Sequence, residues 1–487
     1  MRPIGNALAV VLASAVISAS AQTARNLDFS EPCDTCKTGL AHWSVSWAND
    51  GVVCQPEYDD GNPALRISST KDGVGFVEQT VPLDARMGAS ILELTGRVRS
   101  VSLVGRGAGL NVGIYDSAGT FLTNKDMGFG SFSWVNGTQD WRTLSVKVLC
   151  PPEARTVRIG AIRYGEGEAW FDDYNLVFTP LAGRTADAKA RAYVDAACDT
   201  IARRSLHRAT IDLKAMRNTA MQVAGSDGDP RDLHMAVEYL LASIGDHHSF
   251  LMKPEEVKGW KGDDGPPAEI EHATYRVLEG CGYVSVPKFE STDSSLMAAF
   301  ADTIQHALQQ LEALGVRAWI IDLRNNMGGN MAPMVAGLGP LFDPGTLGQL
   351  IDVEGKVEHW SYMDGIYGWD GETTMRIAHP VVLKKRLPIA VLLDQRTGSS
   401  GECTAISFIG NSHTRSFGQP TWGLTTGNGE FDLPDGAKMF LASTVMADRN
   451  GHAFDGPITP DEVVEQPADW SYDAAVTAAL AWIAKQH

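Results

Sequence analysis

Two short runs, Ala318–Ile321 and Ile389–Leu393, constrain the fold of this chain more than any other feature. Each is apolar at every position, without the polar alternation of a half-exposed strand. Such a strand must be covered on both faces, which is the condition of a parallel sheet flanked by helices. The neighbouring pattern agrees. Tyr283–Val286 reads as a strand, and Ser291–Leu314 as an amphipathic helix with Leu296, Phe300, Ile304, Leu308 and Leu311 on one face. Strands and helices alternate from about residue 272, so residues 270–487 are expected to form an α/β core that is largely parallel.

The segments upstream differ in period. Residues 185–265 are expected to be a helical subdomain. Leu233, Val237, Leu240, Leu241 and Ile244 form its clearest stripe, entered through the turn Asp227-Gly228-Asp229-Pro230. Residues 23–180 carry short alternating runs (Ala64–Ile67, Ile91–Val98, Leu110–Ile114, Thr143–Val148, Val157–Ile162) separated by Gly, Asn, Asp and Pro. That pattern predicts an all-β module. Its start, Asn26-Leu27-Asp28-Phe29 followed by Trp43, and its end, Gly165-Glu166-Gly167-Glu168-Ala169-Trp170-Phe171-Asp172-Asp173, resemble galactose-binding-like jelly rolls. The resemblance implies a β-sandwich serving as a carbohydrate- or protein-docking module or as a spacer. Trp43, Trp47, Trp134, Trp141 and Trp170 are expected mostly in its core.

Residues 1–21 have the form of a secretory signal peptide. Arg2 precedes the apolar core Ala7–Ser18, and Ala19-Ser20-Ala21 is the expected cleavage site. That core is too short to span a bilayer, and no later stretch is long enough, so no membrane insertion is expected. The expected location is secreted or periplasmic. In an oxidising compartment the cysteines near the N-terminus are expected to form one or two disulfides, Cys33 with Cys36 among them. Cys403 is expected to be a small buried hydrophobe. A formal net charge of -18 argues against nucleic acid and anionic membranes as partners.

The chemistry starts where the second apolar run ends. Asp394 stops the strand, Thr397-Gly398-Ser399-Ser400-Gly401 makes a turn, and a helix begins near Glu402. A turn of that kind holds a serine at the sheet edge beside unpaired backbone N–H groups, as a nucleophile with an oxyanion hole requires. Directly after the first run comes Asp322-Leu323-Arg324-Asn325-Asn326-Met327-Gly328-Gly329, whose glycines allow close backbone approach. Asp246-His247-His248-Ser249 ends a helix and offers a general base. No Glu or Cys stands at ligand spacing to this pair, and no metal or other cofactor is expected. Phe454-Asp455-Gly456-Pro457-Ile458-Thr459-Pro460-Asp461 is a rigid loop with two aspartates.

Together these pieces resemble one family. It includes the C-terminal-processing (tail-specific) proteases, the tricorn core protease and the interphotoreceptor retinoid-binding protein. The resemblance covers roughly residues 190–487 and implies an α/β fold of the ClpP/crotonase type and a serine-type peptidase. It makes Ser399, three residues before Glu402, the nucleophile. The N–H groups of Ser400 and Gly329 become the oxyanion hole. The tail-specific branch uses a lysine after a downstream glycine, and here that position is Leu424. The tricorn-like branch uses a histidine in a segment matched by Asp246–Ser249. It points to His248, with His247 standing where a glycine is usual. Its acidic member falls near Asp455. About thirty residues separate the histidine segment from the strand at Tyr283, too few for a PDZ domain, so tail specificity is not implied.

The function expected from this is hydrolysis of peptide bonds in a peptide or protein substrate, through a Ser-His-acid triad and an acyl-enzyme. The alternative is a weakly active or inactive protein that binds a ligand or peptide on the same fold.

Overall fold

The computed structural model describes residues 24–59, 61–126, 134–261, 270–467 and 472–486. The expected signal peptide, residues 1–21, lies outside them, as do residues 262–265 at the end of the expected helical segment. The chain divides into two compact units, Met1–Thr185 and Ala186–His487.

The first unit is rich in β-sheet. Its two longest strands, Ser90–Tyr115 and Thr156–Pro180, pair antiparallel from Ser90 opposite Pro180 to Tyr115 opposite Thr156. The register shifts between Val101 and Gly107. There a Cβ on Gly165, whose φ is +107°, would sit 1.8 Å from the Val104 carbonyl oxygen. The strands approach so closely at that point because glycine has no side chain. Phe29, Trp43 and Tyr174 meet at ring distances of 4.9–5.6 Å inside this unit, and Trp43 Nε1 donates to the Asn26 carbonyl at 2.8 Å. Trp134 and Trp170 are buried as well. Trp47 departs from expectation: it is 62% exposed. It lies on the edge strand Ser44–Ala48, next to a register shift between Val45 and Trp47 that breaks the inward alternation. Cys33 and Cys36 form a disulfide, whereas Cys54, Cys150, Cys198, Cys281 and Cys403 are free.

The second unit contains two sheets. In the first, the strands Cys281–Ser285, Trp319–Asp322, Ile389–Leu393, Thr414–Gly418 and Glu462–Val463 run parallel in that order, with Thr274–Leu278 added antiparallel at one edge. The apolar runs are explained by what covers them. Ile320, Ala390 and Leu392 pack with Ala475, Ala479 and Ile483 of the helix Ala474–Ile483. Ile321 and Val391, on the other face, pack with Phe300, Ile304 and Leu308 of the helix Ser294–Ala313. Each such side chain, fully buried, contributes roughly 1.5–3 kcal/mol. Asp293 starts the latter helix by accepting the N–H groups of Ser295 and Leu296, both at 2.9 Å.

The second sheet was not foreseen from the alternation of strands and helices. Seven antiparallel strands form it, including Gly345–Asp352, Val357–Met363, Ile366–Trp369, Glu372–Arg376, Thr426–Asp432 and Lys438–Asp448. Tight turns carrying Gly355, Gly365 and Gly371 at positive φ join its first four strands. The seventh, Phe250–Met252, pairs with Lys438–Asp448. The helix Pro230–Ile244 precedes it, with all five residues of its stripe buried. Gly245 closes that helix in the left-handed conformation at φ +80°, and the chain turns into the Asp246–Ser249 segment.

Candidate active site

Ser399 stands just beyond the carboxyl end of the Ile389–Leu393 strand, at the start of the helix Ser400–Phe408. Two contacts fasten its turn to the Asp322–Gly329 segment. Thr397 Oγ1 donates to the Leu323 carbonyl at 2.9 Å, and the Gly398 N–H donates to the Asn326 carbonyl at 2.9 Å. Ser399 has φ +53° and ψ -120°, a conformation that costs a non-glycine residue roughly 1–3 kcal/mol. The carboxylate of Glu402 helps hold it there. Its Oε2 accepts the Ser399 N–H at 2.8 Å, while Oε1 accepts the Thr421 hydroxyl and the Gly423 N–H. Glu402 is fully buried, and that burial raises its pKa against the lowering effect of these bonds.

His248 reaches Ser399 from the loop that leads into the strand Phe250–Met252 of the antiparallel sheet. Its Nε2 lies 2.9 Å from Ser399 Oγ. Asp246 Oδ1 accepts the N–H groups of His248 and Ser249 at 2.9 and 2.8 Å, which forms the turn that aims the ring. His248 is 9% exposed, and burial pushes its imidazole down to about 4, with Asp246 acting in the opposite direction. His247, the other member of the pair, is exposed.

Gly328 brings the expected oxyanion segment against the serine. A Cβ there would lie 2.8 Å from Ser399 Cβ and 2.9 Å from the Ser400 nitrogen. Among the described residues neither the Ser400 nor the Gly329 N–H has a hydrogen-bond acceptor. The Gly328 N–H is already used, donating to Asn326 Oδ1 at 3.0 Å. Ser400 Oγ donates to the Gly329 carbonyl at 2.5 Å, which ties the two segments together. Asn326 was not singled out in the sequence. It is fully buried, and its Nδ2 donates to the carbonyls of Val286 and Pro287 at 3.1 and 3.2 Å. The signal that could have found it is a buried amide beside paired glycines.

Asp455, the expected acid, does not join this array. It is exposed, and the group at His248 Nδ1 is Thr426 Oγ1, at 2.7 Å. The Asp455 loop is pinned by its backbone. Gly456 exchanges hydrogen bonds with the Thr425 hydroxyl, and Pro457 lies against Gly423. The short carboxylate is left in solvent. Asp461 is engaged elsewhere, accepting the N–H and hydroxyl of Ser416 at 2.8 Å.

The family model described as peptidase family S41 matches residues 280–464. The nisin-resistance protein of Lactococcus lactis subsp. lactis is 32% identical over 245 residues, which cover 50% of this chain and 70% of that protein. The chain belongs to peptidase family S41. This S41 peptidase is a serine-type hydrolase, and peptides or proteins are its substrate class. It is also 26% identical to the carboxyl-terminal-processing protease of Synechocystis sp. over 220 residues, covering 43% of this chain and 46% of that one. It spans less than half the length of the carboxyl-terminal-processing enzymes it matches. The structure of a lipoprotein from Streptococcus agalactiae shares its fold with a TM-score of 0.50 at 24% identity, covering 61% of this chain and 97% of that one. No helix among the described residues is long and apolar enough to cross a membrane. Leu424, which the sequence resemblance sets opposite the tail-specific lysine, has its Cδ1 3.7 Å from where a Gly398 Cβ would be.

Proposed function

We propose that the protein is an exported peptidase that cleaves peptide bonds with Ser399 as nucleophile and His248 as base. The observation that carries this reading is the 2.9 Å contact between Ser399 Oγ and His248 Nε2. A neutral imidazole at that distance accepts the hydroxyl proton while Oγ bonds to the scissile carbonyl carbon. The oxygen of the tetrahedral intermediate is then stabilised by the N–H groups of Ser400 and Gly329. In comparable sites one such donor is worth about 3–4 kcal/mol of barrier. The C–N bond breaks as His248 returns the proton to the leaving amine. Water, deprotonated by the same ring, then attacks the acyl carbon, and the C–Oγ bond breaks as His248 gives that proton to Ser399 Oγ.

Export rests on the form of residues 1–21. The test is labelling by a fluorophosphonate probe together with hydrolysis of a peptide panel. Nisin belongs in that panel because of the name of the 32% identical relative. Wild type is expected to label at Ser399 and to cleave, and Ser399→Ala to do neither. A folded wild type that never labels and never cleaves would favour the binding-protein alternative.

A further inference from the structure

The structure assigns to Thr426 the positioning role that a carboxylate has in most Ser-His-acid triads, an inference that rests on Ser399 and His248 being the reacting pair. Thr426 heads the strand Thr426–Asp432, and its hydroxyl oxygen lies 2.7 Å from His248 Nδ1. Two residues on, Asn428 Nδ2 donates to the His248 carbonyl at 2.9 Å. Side chains two apart on a strand share a face, so one strand face grips the histidine at its ring and at its backbone. The following residue is held by the paired strand, where the Ala442 N–H donates to Ser249 Oγ at 2.9 Å.

A hydroxyl at this place does half of what a carboxylate does. It accepts the Nδ1–H, which leaves the Nε2 lone pair facing the serine proton. It brings no negative charge, so the imidazolium formed during acyl transfer is met by a dipole and not by an anion. The charged group acting on the ring is Asp246. Its carboxylate is occupied by the N–H groups of His248 and Ser249 and by the Ser249 hydroxyl. The fully buried carboxylate of the site, Glu402, is spent on the backbone of Ser399 and on Thr421 and Gly423 instead.

The experiment compares Thr426→Val, Thr426→Ser and Thr426→Asp in the full chain, with Ser399→Ala and His248→Ala as references. Thr426→Val keeps the shape and removes the acceptor. It is expected to lower kcat about 10- to 100-fold, at or below the lower end of the ~10²–10⁴ that acid–base catalysis supplies, with KM and Tm close to wild type. Thr426→Ser is expected to restore most of the loss. Thr426→Asp is expected to move the acid limb of the kcat/KM profile to higher pH, because an anion favours the charged ring. Wild-type kcat in Thr426→Val and an unmoved limb in Thr426→Asp, with Ser399→Ala and His248→Ala inactive, would overturn the role of Thr426 and leave the reacting pair standing. Activity retained in Ser399→Ala would instead overturn the pair.

Discussion

Glu402 accepts the backbone N–H of Ser399 at 2.8 Å, so the buried carboxylate of this site holds the main chain of the serine and not the imidazole. Replacing it orphans three donors: the Ser399 N–H, the Thr421 hydroxyl and the Gly423 N–H. Each buried donor left unpaired costs ~1–3 kcal/mol. Glu402→Ala is therefore expected to lower stability by several such increments and to lose probe labelling. Urea unfolding with parallel labelling measures both, and wild-type values for both would refute the bracing role.

Gly328 is expected to be intolerant of the smallest side chain. Its φ is +105°, and an added Cβ would meet Ser399 Cβ at 2.8 Å and the Ser400 nitrogen at 2.9 Å. Gly328→Ala should lose most of kcat while still folding, because the displaced atoms are those around the expected oxyanion site. Circular dichroism with steady-state kinetics distinguishes this from general unfolding. A variant with wild-type kcat would mean that the turn relaxes freely.

The strained conformation of Ser399 predicts a trade of stability for activity. Glycine adopts φ +53° without the steric cost of a Cβ. Ser399→Gly is expected to abolish hydrolysis and to raise stability by about 1 kcal/mol. Ser399→Ala keeps the strain and removes only the hydroxyl, so it should be inactive without that gain. Leu424→Ala, which tests the lysine position of the other branch, is expected to retain hydrolysis. Thermal melts that rank alanine above glycine would contradict the strain.

Stability should also respond to His248 as the pH falls. Burial holds its folded pKa at about 4 against an ordinary value of 6.5. Between these values the unfolded chain binds a proton that the folded chain refuses. Folding is therefore weakened as pH drops from 6.5 towards 4, by roughly 3 kcal/mol over the window. Above pH 6.5 the ring is neutral in both states and contributes no slope. The Tm of His248→Gln should fall less steeply across this range than that of wild type. Equal slopes would show that the ring takes its proton as readily folded as unfolded.

Much of the site was legible because its parts announce themselves locally. An unbroken apolar run can only be a strand covered on both sides, and the abrupt turns after Ile321 and Leu393 marked the segments that meet at Ser399. The buried stripe Leu233–Ile244 placed the helix that delivers His248. What could not be read depends on long-range register. Thr426 is one of several threonines in its segment until its strand pairs with Lys438–Asp448, when its hydroxyl comes to face His248. Asp455 has the right residue type at a plausible distance along the chain, but backbone contacts of Thr425 and Gly456 decide where its side chain goes. Trp47 is expected with the other tryptophans of its sandwich mostly in the core, and it lies outside because of an edge-strand irregularity. The antiparallel sheet escaped notice since its short strands lack the continuous apolar character of the parallel ones.

The placement of Ser399 and His248, the proposed reacting pair, beside two different sheets has a consequence for biosynthesis. Ser399 is delivered by the parallel sheet. His248 is secured by strands that end at Asp432 and Asp448, nearly two hundred residues downstream in the chain. A ribosome-bound fragment that has emerged only as far as Phe408 already contains both residues, yet it lacks the framework that brings them together. Hydrolytic competence should thus arise only after the strands Thr426–Asp432 and Lys438–Asp448 have been made and have paired. A partly made chain would be poorly equipped to damage the proteins of the cell producing it.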